Sequence, residues 1–276
     1  MAIRIITDTA ADFDAGEAEF YGVEEIELPV SFDGQQECVQ DKRTFWEKLT
    51  AGGVSHTAQP SPQAWENLFA DAQEKGDEIV CILISSALSG AYSAAAAIQK
   101  RLVSSGVYIV DSRAASGAEK MIVLEACRLR GQGKSAAEIF AAVESFKRRV
   151  RLFAMVDTLE YLARGGRVSA PLAAIGNFLK IKPLVTFTDG GAVTVFAKTL
   201  GVPPAIRKLC EKLREKKLSA DYPVLPLYSG SRQNLDALLK KAEGEEIVFS
   251  EPLEIGPTIG SHIGPDGCGL VFVTEE

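Results

Sequence analysis

Four loops of the sequence carry side chains suited to anion chemistry. The best of them lies in Ile84 to Ala97, Ile-Ser-Ser-Ala-Leu-Ser-Gly-Ala-Tyr-Ser-Ala-Ala-Ala-Ala. An apolar run from Ile79 to Ile84 ends in a Ser-rich turn, and a strong helix former follows at once. A helix start leaves backbone N–H groups unpaired, with hydroxyls beside them, which makes an anion site. Ser89 is placed to cap a helix beginning at Gly90, and an N-cap hydroxyl already lies at the positive helix end, so capping and ligand binding coexist. Ser85 and Ser86 read as the end of the strand.

The other three loops add different groups. In His56-Thr57-Ala58-Gln59-Pro60-Ser61-Pro62, Ser61 caps a helix with Pro62 in its first turn, which leaves Thr57 unexplained. In Tyr161-Leu162-Ala163-Arg164-Gly165-Gly166-Arg167, two arginines flank a Gly pair. They suit bidentate anion contacts and equally suit carboxylates that tie domains together. In Ile255 to Pro265, glycines 256, 260 and 264 allow close backbone approach, and His262 is one of two histidines in the chain. A lone histidine is commonly structural, yet one in a Gly-rich loop has no apolar face to fill, so both roles stand.

The elements that must position these loops follow from periodicity. Ile3–Thr7, Glu25–Phe32, Ile79–Ser85 and Val107–Asp111 read as strands, with helices at Thr44–Ala51, Pro62–Lys75, Gly90–Ser104 and Ala114–Gly131. Such alternation predicts βαβ units and a largely parallel sheet flanked by helices. Asp33-Gly34 marks a turn that starts a small hairpin excursion. After about residue 150 the pattern changes. Leu152–Val156 is a strand, Asp157 or Thr158 caps a short helix, and a second helix runs from about Ser169 to Leu179. Lys182–Thr188 and Ala192–Lys198 flank Asp189-Gly190-Gly191, an antiparallel hairpin signal. Helix Pro203–Lys217, strand Pro223–Tyr228, helix Gln233–Ala242, strand Glu246–Phe249 and strand Leu270–Thr274 complete it. The expected architecture is α/β in two domains. Residues 1–155 form an N-terminal domain with a largely parallel sheet, and 156–276 a C-terminal α+β domain with a mixed sheet.

Composition narrows the function. A net charge of −7 disfavours nucleic acid. The run Lys147, Arg148, Arg149 and Arg151 reads as a solvated helix end. Five cysteines without CxxC or metal-type spacing read as reduced thiols, and no apolar run approaches the ~20 residues that span a bilayer. A cytoplasmic soluble protein without a metal, and without stable membrane insertion, is the expectation.

Together the loops resemble a family. Thr-x-Gln-Pro-Ser, Ser-Ser-x-Leu-Ser-Gly-x-Tyr-x-Ser-Ala, Tyr-Leu-x-Arg-Gly-Gly-Arg and Ile-Gly-x-x-Ile-Gly-x-His-x-Gly-Pro, in this order, resemble the DegV family of fatty-acid-binding proteins. The opening Thr7-Asp8-Thr9-Ala10-Ala11-Asp12 fits that family's acidic turn. The resemblance covers essentially the whole chain. It implies a non-enzymatic carrier with a buried long-chain fatty acid such as palmitate and no other cofactor. It also implies a carboxylate held by Thr57 and Ser89, with His262 and Arg164 near the head group or phosphotransfer. Some members present the acid to a separate ATP-dependent fatty-acid kinase. This chain departs from the commoner pattern at Ala58, Ala91 and Asp266, and at Leu200, where members commonly carry arginine. The last change bears on contact with a kinase more than on lipid binding.

A fatty acid needs an apolar tunnel and a few head-group donors. Burying ~14 methylenes contributes about 11 kcal/mol gross, against several kcal/mol for association and for burying the charge. The competing reading is a Ser/His-type hydrolase of a small acyl substrate, with Ser89 as nucleophile and His262 as base. The chain lacks the Gly-x-Ser-x-Gly elbow, a Gly-x-Gly-x-x-Gly after the first strand and a P-loop.

Overall fold

The structure, a computed structural model, describes residues 2–33, 38–102, 106–168, 180–244 and 246–275. The chain opens with β1 (Ile3–Asp8), a 3-10 turn (Thr9–Ala11), α1 (Ala15–Tyr21) and β2 (Val23–Ile26). Next come β3 (Val30–Phe32), α2 (Lys42–Thr50) and β4 (Ser55–Thr57). They are followed by α3 (Pro62–Lys75), β5 (Glu78–Leu83), α4 (Ala91–Leu102), β6 (Val107–Asp111), α5 (Gly117–Gly131) and α6 (Ala136–Phe146). The second half runs through β7 (Val150–Met155), α7 (Glu160–Arg164), β8 (Ile181–Phe187), β9 (Val193–Leu200) and α8 (Val202–Arg214). It ends with β10 (Leu225–Tyr228), α9 (Gln233–Ala242), β11 (Leu253–Glu254), α10 (Pro257–Ile263) and β12 (Cys268–Val273).

These elements form two compact units. Met1–Pro29, Ala58–Arg148 and Asp189–Gly191 make the first, and Val30–Thr57, Arg149–Thr188 and Ala192–Glu276 the second.

The first unit holds an all-parallel sheet in the order β2-β1-β5-β6. Ile79 to Leu83 of β5 are fully buried, as a strand covered on both faces requires. Helix α3 starts and stops where its sequence says it must. Ser61 Oγ accepts from the Ala64 amide at 3.2 Å, Pro62 occupies the first turn, and Gly76 ends the helix in the left-handed region. Its buried residues Trp65, Phe69 and Ala72 recur at helical spacing and cover the sheet. Asp8, Ser85 and Asp111 gather at the carboxyl ends of β1, β5 and β6, the edge where open parallel sheets bind ligands.

The second unit holds a mixed sheet in the order β11-β10-β12-β7-β8-β9. The β10–β11 pair is parallel and the other pairs antiparallel. The hairpin around Asp189-Gly190-Gly191 forms as expected, with Phe187 opposite Val193. Helix α8 buries Ala205, Ile206, Leu209, Cys210 and Leu213, one continuous stripe, against Phe153, Met155 and Phe272. A smaller core in this unit gathers Val30, Phe32, Phe45, Trp46 and Leu49 around the antiparallel β3–β4 pair.

Several local expectations are corrected. Glu25–Phe32 is two strands, broken at Glu27–Pro29, because a proline supplies no ladder donor. The excursion after Asp33 is no tight hairpin, since α2 lies between β3 and β4. Of Glu246–Phe249, only Phe249 forms a bridge, parallel to Val224, while Val248 is exposed. Lys147 is not solvated. Its ammonium is buried, donating to the Asp111 carbonyl at 2.7 Å and to Glu144 at 2.6 Å. The helix expected over Ser169–Leu179 lies outside the described residues.

Candidate ligand-binding site

Thr57 closes β4, whose pairing sets Thr57 opposite Val30. Its Oγ1 lies 2.9 Å from His262 Nε2, a bond across 205 positions of chain. His262 rides on α10, and the glycines around it explain its seat. A Cβ on Gly260 would stand 2.6 Å from the Phe45 ring, so only glycine lets α10 pack this closely on α2. A Cβ on Gly165 would stand 2.2 Å from His262 Nδ1. That nitrogen is shut off from solvent and has no hydrogen-bond partner among the described residues.

Burial, with the Arg167 charge second, pushes the His262 imidazole down to about 4. The ring is therefore neutral near pH 7, and one nitrogen carries its single proton. With the proton on Nε2, that N–H donates to Thr57 Oγ1 and frees the Thr57 hydroxyl proton for a ligand. Nδ1 then keeps an unused lone pair, which is better tolerated than an orphaned N–H. This arrangement makes a donor of Thr57. It does not make a strong base of His262, which lacks affinity for a proton at neutral pH.

Gly165→Ala is expected to push the imidazole off Thr57 and to destabilise the protein by ~1–3 kcal/mol, the usual cost of overpacking. Denaturant unfolding checks this, and an unchanged midpoint would contradict the packing described.

Ser89 lies in the first unit, half-buried ahead of α4. Helix α4 begins at Ala91, one residue later than expected, so Gly90 stands at the cap position and Ser89 precedes it. Ser89 Oγ still serves the helix start by accepting from the Ala91 amide at 3.2 Å. Its own hydroxyl proton is not used in that bond. Gly90 is exposed, and a Cβ there would meet only the flexible end of the Gln59 side chain, Oε1 at 2.2 Å.

The two arginines of the third loop separate. Arg164 is exposed, pairs with Glu160 one turn back at 2.7 Å, and lies over the Tyr161 ring. Arg167 donates to the Gly165 carbonyl and is the arginine whose charge acts on His262. Sequence reasoning singled out Arg164 for the head group and gave Arg167 no separate role. Only three-dimensional proximity distinguishes them. Among the described residues no cluster of histidine, cysteine or carboxylate side chains is arranged to hold a metal ion. No described helix is long and apolar enough to cross a membrane.

One parallel and one mixed sheet, each flanked by helices, with hydroxyl donors ahead of α4 and against His262, define an α/β protein of a recognisable class. The chain belongs to the DegV family: the family model described as "Uncharacterised protein, DegV family" matches residues 2–275. A DegV domain-containing protein of Streptococcus pyogenes is 31% identical over 288 residues, covering 100% of this chain and 99% of the relative. A Thermus thermophilus DegV protein, whose structure is described as showing fatty-acid binding, is 28% identical with a TM-score of 0.86. The match covers 99% of this chain and 100% of that one. A DegV lipid-binding protein of Thermotoga maritima matches at 26% identity and TM-score 0.86, covering 100% and 99%.

Proposed function

We propose that this protein is a cytoplasmic carrier that buries one long-chain fatty acid, of the palmitate class, and presents its carboxylate to a separate ATP-dependent fatty-acid kinase. The observation that carries the reading is the Thr57–His262 bond, which pairs a hydroxyl with a neutral imidazole and leaves a hydroxyl proton to donate. The fatty-acid-binding relatives support it.

In this reading Thr57 and Ser89 hold the carboxylate and His262 orients the Thr57 proton from behind. Arg164 and Arg167 are the cations this reading offers to phosphotransfer. The hydrolase reading loses ground because the described bond of His262 goes to Thr57 and its ring is a poor base.

Titration of delipidated protein with palmitate, alongside an ester-hydrolysis assay, tests the proposal. Saturation near one acid per chain without turnover is expected. Turnover of the ester without retention of the acid would contradict it.

The kinase part has its own test. Leu200 is 72% exposed at the end of β9 and offers no charge to a transferring phosphoryl group. Leu200→Arg is expected to raise the phosphorylation rate by about tenfold or more, the scale of one electrostatic contact, with a kinase that serves arginine-bearing members. The two proteins should bind fatty acid equally. Equal phosphorylation rates would show that the departure at Leu200 is neutral.

A further inference from the structure

The strand-end serine that precedes Ser89 has more work than ending a strand. Ser85 is fully buried. Its carbonyl accepts the amides of Leu88 at 2.9 Å and Ser89 at 3.0 Å, so the Ser89 backbone is pinned to it. Its Oγ accepts from the Ala87 amide at 3.2 Å and donates to the Gly191 carbonyl at 2.9 Å. Gly191 belongs to the Asp189–Gly191 hairpin tip, which is part of the first unit.

The same tip is fixed at a second point. Arg113 donates through Nη1 to the Asp189 carbonyl at 3.2 Å, while its own amide donates to Asp111 Oδ1 at 3.0 Å. Asp111 also accepts from the Ser86 amide at 3.0 Å and the Ser86 hydroxyl at 2.5 Å. Two residues here are in the left-handed region, Gly191 at φ +81° and the non-glycine Arg113 at φ 54°. Any side chain on Gly191 would meet Ser85 Oγ at 2.1 Å and Arg113 Cα at 2.8 Å. Strained backbone of this kind persists only where the surroundings over-determine it.

We propose that Ser85, held by the Asp189–Gly191 tip, is the positioning residue that aims Ser89 at the ligand's head group. The proposal rests on the reading of Ser89 as a carboxylate ligand. It adds that the hairpin tip and Arg113 are part of the head-group machinery without touching the ligand. A fully buried hydroxyl needs partners wherever it points, and those of Ser85 lie in the turn ahead of Ser89 and in the hairpin tip.

The experiment is a binding titration with palmitate and with the uncharged alcohol of the same length. It compares wild type, Ser85→Ala, Ser89→Ala and the double variant. A positioning role predicts that Ser85→Ala weakens palmitate about tenfold, the scale of one charge-assisted bond, and the alcohol far less. In the Ser89→Ala background, Ser85→Ala should add nothing, because it acts through Ser89. Equal losses for acid and alcohol, or additive losses in the double variant, overturn the proposal. Arg113→Gly, an exposed position where glycine relieves the backbone, carries the same test should Ser85→Ala fail to fold. It should selectively weaken the acid, and a non-selective or absent effect overturns the proposal. A wild type that binds acid and alcohol alike overturns the carboxylate reading itself, and this proposal with it. A wild type that prefers the acid while the variants keep that preference overturns the positioning role alone.

Discussion

The Thr57→Ala/Ser89→Ala double variant is expected to bind palmitate at least a hundredfold more weakly than wild type. Hydrogen bonds to a charged group contribute ~1.5–3 kcal/mol each, so losing two removes ~3–6 kcal/mol, and each ~1.4 kcal/mol is tenfold. The apolar tail still drives association, so binding should weaken rather than vanish. The fold should survive. Ser89→Ala removes an acceptor for the half-exposed start of α4, a loss of ~1 kcal/mol or less. Thr57→Ala strips His262 Nε2 of its described partner, which costs ~1–3 kcal/mol when the donor is buried. Displacement of a fluorescent fatty acid measures the affinity, and circular dichroism checks the fold. Wild-type affinity in the double variant would remove both residues from the head-group site.

The second large effect is on stability. Asp8 is fully buried, and its two oxygens accept the amides of Ala10 and Ile84, each at 3.0 Å. Burial pushes its carboxyl up to about 7; the two amide bonds oppose that and the Asp12 charge adds to it. Glu119, on α5, is also fully buried and is pushed well above the ordinary range, by burial first and by the Asp8 charge next. One of its oxygens accepts from Thr7 Oγ1 at 3.2 Å, and the other has no partner among the described residues. Both folded-state values exceed those of the unfolded chain. Between about pH 4 and pH 7 the unfolded Asp8 has lost its proton while the folded one keeps it. Stability therefore falls as pH rises through that window, by about 4 kcal/mol for Asp8 alone, and Glu119 extends the decline upward.

Glu119→Gln keeps the neutral shape and removes the Glu119 share of the pH dependence. The variant is expected to gain stability relative to wild type as pH goes from 5 to 8, read from denaturant unfolding at both values. His262 works in the opposite direction, since its folded value lies below that of the unfolded chain, but its contribution is common to both proteins and cancels. A pH dependence identical in the two proteins would mean that Glu119 is not held protonated.

What was legible in the sequence were features fixed by neighbours in the chain. Alternating strand and helix periods gave the parallel sheet. Ser61-Pro62 gave the start of α3, and Asp189-Gly190-Gly191 gave the β8–β9 hairpin. The four loops gave the family. What was illegible depends on groups far apart in sequence. The three-residue strand β4 has no period to detect, and nothing local separates β3 from the run Glu25–Phe32 or pairs it with β4 beside Phe32, Phe45 and Trp46. Thr57 and His262 were each singled out by type and setting, but nothing local announces their bond. Ser85 read as a strand end because its partner, Gly191, is 106 positions away. Lys147 read as solvated because the Asp111 carbonyl that receives it comes from another element.

The central claim is that this chain holds a fatty acid through its carboxylate. The direct measurement is mass spectrometry of the lipid released by organic extraction of the purified protein. The account predicts a long-chain fatty acid in amounts approaching one per chain from wild type, and much less from Thr57→Ala/Ser89→Ala. A wild type that yields no fatty acid, and takes up none when palmitate is supplied, would contradict it.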